Sequence, residues 1–261
     1  MTPKAYVFKG FNLQSSPYQV TGAPNLYDSP DVDITAYDLA RTDGAAKVYD
    51  RYKPRSFVLN GNIKVATPTD LEPAFDALKL ALLKQVGDLA TDWGTGTRYF
   101  NCECKNIAII RDRGHNTQVG WSGQFYMAQP FSTDNVTRDI MTAVVGNTTG
   151  SLTASTNNIG TYFAAPYITL TLTGITPNNS DVTITIGNPA TNESISFTGQ
   201  FANGDVVTID CLNKQIFKGV TLLPGVGHFP TWMPGSGIIS YSDTATTRTI
   251  SLAATYIARY L

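Results

Sequence analysis

The sequence predicts a mainly β protein with one helix, divided into an α+β N-terminal domain and a C-terminal antiparallel β-sandwich. Three observations carry this. Charge is unevenly placed: residues 1–140 hold 15 basic and 15 acidic side chains, whereas residues 141–261 hold 4 and 5. Threonine moves the other way, with 22 in the last 120 residues, and a β-branched side chain with a hydroxyl suits a pleated, half-exposed surface. A single segment has helical period, while the rest alternates with period two between Gly, Asn and Pro turns.

The helical segment is Leu71, Phe75, Leu78, Leu82, Val86 and Leu89, spaced 4, 3, 4, 4 and 3, which stacks them on one face. Thr69 and Glu72 fit a capping box, and Pro73 is tolerated in the first turn. The spacing predicts a helix of about 17 to 20 residues, ending at Gly87 or Gly94 and packed on a sheet. Before it, Ser56 to Val65 reads as two short strands joined by a hairpin turn at Asn60-Gly61, since both residues accept positive φ. After it, Thr97 to Ile110 and Gln118 to Met127 pair across the turn Arg111 to Asn116. In the second half, strands are expected at Tyr167–Leu172, Val182–Ile186, Glu193–Thr198, Val206–Cys211, Gln215–Val220, Gly237–Tyr241 and Thr247–Tyr256. That series points to a sandwich such as a jelly roll. The Gly-, Ser-, Thr- and Asn-rich run Val144 to Gly160 marks the division. It gives an N-terminal domain at 1–145, a linker at 146–156 and a C-terminal domain at 157–261, whose last strand is free to pack on the first.

Composition excludes several functions. A net charge of −1 supplies no general attraction to nucleic acid or an anionic membrane. Met1 to Gly10 lacks the apolar core of a signal peptide, and no later stretch approaches the ~18 apolar residues of a spanning helix. Cys102, Cys104 and Cys211 are odd in number and too few for a disulfide framework, which predicts free thiols in a reducing cytoplasm.

Chemistry is scarce. The two histidines, His115 in Asp-Arg-Gly-His-Asn and His228 in Gly-Val-Gly-His-Phe-Pro, read as solvated loop residues. Cys102 and Cys104 share a strand face but find no further Cys or His within ten residues, so they read as small buried hydrophobes and not as half of a zinc site. Gly94-Thr95-Gly96 lacks the ending of a phosphate loop, and Gly235-Ser236-Gly237 reads as a turn after Pro234. The carboxylates of the second half are Asp181, Glu193, Asp205, Asp210 and Asp243. Trp232, Tyr162, Tyr167 and Tyr241 offer rings for stacking on sugar or, more simply, for packing a core. KVYDRYKPR (Lys47–Arg55), flanked by Asp43 and holding Asp50, reads as a polar strand or subunit interface. Sequons at Asn135, Asn147, Asn178 and Asn192 carry no meaning without secretion. No catalytic residue, metal or cofactor is predicted.

The order of features resembles the distal tail protein (Dit) family of long, non-contractile-tailed bacteriophages. In the first half the likeness lies in YKPRSFVLNGNIKV, the helix, RYFNCECKNIAI and GWSGQFYMAQPF. In the second it lies in GDVVTIDCLNKQIFKGV followed by FPTWMPGSGIISY, with Gly237 where the family more often has Asn. These residues make sense as scaffolding: Gly204-Asp205 forms a hairpin turn, Asp210 and Asn213 cap the next turn, and Pro234-Gly235 fits a type II turn. The resemblance implies a non-enzymatic virion protein of the tail tip, assembled in the host cytoplasm. Its tail-tube-like N-terminal domains would form a hexameric ring joining the tail tube protein to the baseplate or tail-tip hub protein. Its C-terminal domain would be galectin-like or similar to a carbohydrate-binding module, displayed outward for a receptor-binding protein or host saccharide. The alternative is a carbohydrate-binding module on a small α+β domain.

Overall fold

The structure, a computed structural model, describes residues 3–38, 45–94, 96–110, 116–146 and 151–261. His115, Thr95, Asp43, Asn147 and most of the Arg111–Asn116 turn lie outside them.

The strands of the first half are β1 (Ala5–Phe8), β2 (Phe11–Asn12), β3 (Tyr18–Gly22), β4 (Val32–Asp38), β5 (Ala45–Tyr52) and β6 (Arg55–Lys64). A 3-10 turn (Pro68–Asp70) leads into helix α1 (Leu71–Leu82), followed by β7 (Val86–Asp92), β8 (Thr97–Ile110), β9 (Gln118–Met127) and β10 (Ser132–Gly146). Then come β11 (Ser151–Asn158), β12 (Tyr167–Thr176), β13 (Ser180–Asn188), β14 (Glu193–Phe201) and β15 (Val206–Asp210). The chain ends with β16 (Gln215–Lys218), β17 (Thr221–Leu222), β18 (Gly225–Gly227), β19 (Gly235–Asp243) and β20 (Thr247–Tyr260). Among the described residues the strands pair antiparallel, apart from one isolated parallel bridge between Leu83 and Cys104.

The chain divides into two compact units, residues 1–134 with Leu261, and 135–260. The division therefore falls inside β10, ahead of the expected linker at 146–156. Much of that supposed linker is β11, paired with β19 from Ser151–Ser242 to Asn158–Gly235. Its Ser and Thr content supplies the outward half of a strand whose inward half is Ala154, Thr156 and Asn158. The last strand belongs to the second unit, where β20 pairs with β12 from Thr247 to Thr255.

In the first unit β8 and β9 match the predicted ranges, and Cys102 and Cys104 point together into the core. Two expectations fail. Asn60-Gly61 is not a turn: β6 is one unbroken strand between β3 and β9. Its inward face is Phe57, Leu59, Gly61 and Ile63, and the place of a side chain at 61 is taken by Trp121. A Cβ at Gly61 would stand 2.5 Å from both the Gln19 carbonyl and Trp121 Nε1, so glycine here serves close approach. The helix also stops earlier than its periodicity predicts, at Leu82, because Lys84 takes a positive φ of 56°. Val86 and Leu89 then enter β7, whose backbone is satisfied by β1 and β8. The Thr69–Glu72 capping box does not form; Asp70 precedes the helix without a side-chain cap, and Thr67 Oγ1 donates to Asp70 Oδ2 at 2.7 Å. Leu78 and Leu82 bury the helix against Phe57, Phe125, Trp121 and the two cysteines.

In the second unit, β11-β19-β13-β14-β18 form one sheet and β17-β16-β15-β12-β20-β10 line up in the other. Val182, Ile184, Ile186, Ile195, Phe197 and Ile239 from the first meet Ile168, Leu170, Leu172, Ile209, Ile250 and Leu252 from the second in one core. Outward positions carry hydroxyls: Thr183–Thr198 and Thr185–Ser196 pair across strands at 2.8 and 2.7 Å.

The turn from β19 in one sheet to β20 in the other is closed by Asp243 and Arg248. Their side chains are 0% and 3% exposed, with Arg248 Nε 2.5 Å from Asp243 Oδ2 and Nη2 2.5 Å from Oδ1. Tyr241 donates to the same carboxylate at 2.5 Å, and Ala245 N donates at 2.7 Å. Arg248→Met, which strands the buried carboxylate, is expected to lower unfolding free energy by about 3–5 kcal/mol in denaturant titration. Adding Asp243→Asn to that variant should recover much of the loss, because the uncompensated charge is then gone.

Candidate functional site

The family-like segment Phe229 to Tyr241 folds around Thr231 and Trp232. Three side chains from distant strands hold this backbone. Glu193 Oε2 accepts from Thr231 N at 2.7 Å and from its hydroxyl at 2.8 Å. Asn188 Nδ2 donates to the Thr231 carbonyl at 2.6 Å. Asn158 Nδ2 donates to the carbonyls of Trp232 and Tyr162, each at 3.0 Å, while its Oδ1 accepts from Gly160 N at 2.9 Å. Ala164 and Trp232 exchange both backbone bonds. Sequence reasoning missed Asn158 and Asn188 altogether; the legible trace was the Asn-x-Gly spacing at 158–160, which favours a local side-chain turn.

The turn residues do structural work, one of them differently from expectation. Gly204 adopts φ +92°, but Gly204-Asp205 joins β14 to β15, which lie in different sheets, so the turn is a crossing and not a hairpin. Asp205 Oδ2 accepts from Ala202 N at 2.6 Å and meets Lys218 Nζ at 2.8 Å. Burial pushes this carboxyl up, yet the Lys218 ammonium and the Ala202 amide outweigh it and hold it below the usual range. Asp210 Oδ1 accepts from Leu212 N and Asn213 N at 3.0 and 2.9 Å, and Oδ2 accepts from Asn213 Nδ2 at 2.8 Å. That closes the true hairpin of β15 and β16. Gly235 after Pro234 takes φ +88°, as the third residue of a type II turn must. A Cβ at Gly237 would lie 2.9 Å from Thr156 Oγ1.

The aromatic candidates do not form one stacking platform. Trp232 is 1% exposed and presents no ring face to solvent. Tyr162 is half-buried and meets Phe163 edge-on, with centroids 5.4 Å apart. Tyr167 is 45% exposed at the start of β12, and Tyr241 is buried on the Asp243 carboxylate. His228 is exposed, tied by its backbone amide to the Ser194 carbonyl. Of the six carboxylates of this unit, Glu193, Asp205, Asp210 and Asp243 hold turns or ion pairs, and Asp139 and Asp181 are exposed. Among the described residues no group of three or more His, Cys, Asp or Glu converges as a metal site, and no helix is long and apolar enough to cross a membrane.

Two open clefts lie among the described residues of the first unit. One, of about 730 Å³, lies over β1, β7 and β8, with Ala5, Val7 and Ala90 as floor and Lys9, Asp88 and Asp92 around them. The other, of about 530 Å³, runs between α1 and the ends of β8 and β9.

No family model matches this chain, and no curated protein matches it. Among solved structures it is similar to the Dit protein (gp 19.1) of phage SPP1, a hub of the adsorption apparatus in phages infecting Gram-positive bacteria. That likeness has a TM-score of 0.64 at 13% identity, covering 98% of this chain and 99% of that one. Chains of the phage P2 baseplate in its activated conformation, with Ca and with Sr, align at TM-scores of 0.45 and 0.40 and 7% and 8% identity. These cover 98% and 96% of this chain, and 98% and 97% of theirs. The fold is Dit-like along the full chain: mainly β, with one helix and antiparallel sheets.

Burial pushes the Cys102 and Cys104 thiols up from 9.0 to about 12 and about 11, and the Cys211 thiol up as well. Alkylation of the native protein at pH 8.5 should therefore give no rapid adduct, and the unfolded protein should give three. A thiol raised in the folded state favours folding below its ordinary value and loses that contribution as pH climbs toward the raised one. Denaturant midpoints should accordingly fall between about pH 9 and 11.

Proposed function

We propose that this Dit-like chain is a structural protein of a phage tail tip. Six copies form a ring through the first unit, joining the tail tube to the baseplate or tail-tip hub, and the second unit, galectin-like in form, points outward. The observation that carries the reading is the likeness to the SPP1 hub protein over essentially the whole of both chains. The use of polar side chains agrees with it. Asn158, Asn188, Glu193, Asp205, Asp210 and Asp243 are engaged in holding backbone and turns, which is the economy of a scaffold and not of an enzyme. Balanced charge in the first half suits repeated contacts between identical neighbours, where like charges must not be opposed.

The outward unit serves as a platform for a receptor-binding protein, with the chain assembled in the host cytoplasm and resident in the virion. The alternative reading, saccharide recognition, keeps the exposed Tyr167 and half-buried Tyr162 but loses Trp232 to the core, so a platform is favoured.

Light scattering is expected to give about 169 kDa for the full chain, six times 28.2 kDa. A full chain that stays monomeric with its hub protein present contradicts the ring. Residues 135–261 should stay monomeric and unfold in one cooperative transition; a broad, non-cooperative melt would count against an independent second unit.

A further inference from the structure

The chain holds two Asn-Gly dipeptides, Asn60-Gly61 and Asn203-Gly204. In such a pair the backbone nitrogen after asparagine can attack the side-chain amide carbon, because glycine sets no side chain in the way. Ring closure then depends on the freedom of both residues, and here the two sites differ. Asn60 and Gly61 lie inside β6, paired on one side with β3 and on the other with β9. A Cβ at Gly61 would already stand 2.5 Å from the Gln19 carbonyl and from Trp121 Nε1, so no room is left for a ring to close.

Asn203 and Gly204 lie outside any strand, between β14 and β15, and both are exposed. Around Gly204 the space is open: a Cβ there would meet nothing within 4 Å. The asparagine is held in a way that favours attack. Its Oδ1 accepts from Ile175 N at 2.7 Å, so a backbone donor already faces the oxygen on which negative charge develops. Among the described residues nothing accepts a hydrogen bond from its Nδ2, so the leaving nitrogen can take its proton from water. Gly204 N, the attacking atom, donates to the Leu172 carbonyl at 2.6 Å. That single bond must open first, against a ladder on two sides at Gly61. Asn135, Asn179 and Asn192 also take positive φ, but Val136, Ser180 and Glu193 follow them, and those side chains crowd the attacking nitrogen.

We propose that Asn203 is a self-modification site, whose side chain deamidates through a cyclic imide in the folded protein while Asn60 keeps its amide. A base in the solvent takes the Gly204 N proton, the bond from Gly204 N to Asn203 Cγ forms and the Cγ–Nδ2 bond breaks. Nδ2 leaves as ammonia with a proton returned by water. Water then opens the imide at one of its two carbonyls. Opening at Cγ gives aspartate with a normal main chain, which keeps an oxygen for Ile175 N. Opening at the main-chain carbonyl gives isoaspartate, whose main chain runs through Cβ and Cγ and is one carbon longer. The longer link draws Gly204 N away from Leu172 and pulls on the turn where Asp205 Oδ2 accepts from Ala202 N. That turn carries the chain from one sheet of the second unit to the other, so the modification loosens the crossing as the protein ages.

The test holds the full chain in warm, mildly alkaline buffer and follows both sites by peptide mapping that separates aspartate from isoaspartate. Acid at position 203 should exceed acid at position 60 by at least about tenfold, the factor that one or two ladder bonds are worth, with isoaspartate in the product. In concentrated urea the two sites should react at like rates, since each is then a plain Asn-Gly. The aged chain should also unfold at a lower urea midpoint than the Asn203→Asp variant, which carries the same charge on a normal main chain. An amide at 203 that lasts as long as the one at 60, aspartate without isoaspartate, or a preference for 203 that persists in urea overturns the site. Equal midpoints overturn the loosening of the crossing. None of these outcomes bears on the tail-tip reading.

Discussion

The second unit depends on the corner where β19 leaves one sheet and β20 enters the other. β20 is an interior strand of its sheet, lying between β12 and β10, so the direction it takes from that corner sets the register of everything beside it. Asp243 and Arg248 fix the direction from inside, with Tyr241 and the Ala245 amide completing the carboxylate's partners. A buried pair of this kind adds little net stability over an apolar substitute, but a chain that misplaced either partner would bury a lone charge. The pair therefore makes alternative corners costly.

The same logic runs through the Trp232 clamp. Glu193, Asn188 and Asn158 reach backbone 38, 43 and 74 residues away in sequence. Each satisfies groups that would otherwise be costly to bury. This explains why a search for chemistry among the carboxylates of this half finds architecture. Much of what remains outward is neutral: cross-strand hydroxyl pairs on one sheet, and Thr169, Thr171 and Thr208 on the other. The high threonine content is that surface.

Strand positions were legible wherever one face is buried, because alternation then writes itself into the sequence. β8 and β9 could be read residue by residue for that reason. The helix could be read only as far as its own rule holds: Val86 and Leu89 keep a helical spacing, but they also satisfy a strand, and Lys84 decides between them by turning left-handed. Asn60-Gly61 carries a strong local turn signal that the fold overrides, since Gly61 answers to Trp121, a partner 60 residues away. The clamp amides were illegible for the same reason, and so was the isolation of β4 and β5, which among the described residues pair only with each other: KVYDRYKPR reads as a strand, but whether a strand finds a larger sheet is not written in its own residues.

The central proposal is that this chain is a structural part of a phage tail tip. Its most direct test is gold labelling of the virions encoded by the same genome, with antibody raised against residues 135–261 and positions scored in electron micrographs. The account predicts gold clustered at the distal end of the tail. Gold on the head or along the tube, or intact virions that lack the chain, would contradict it.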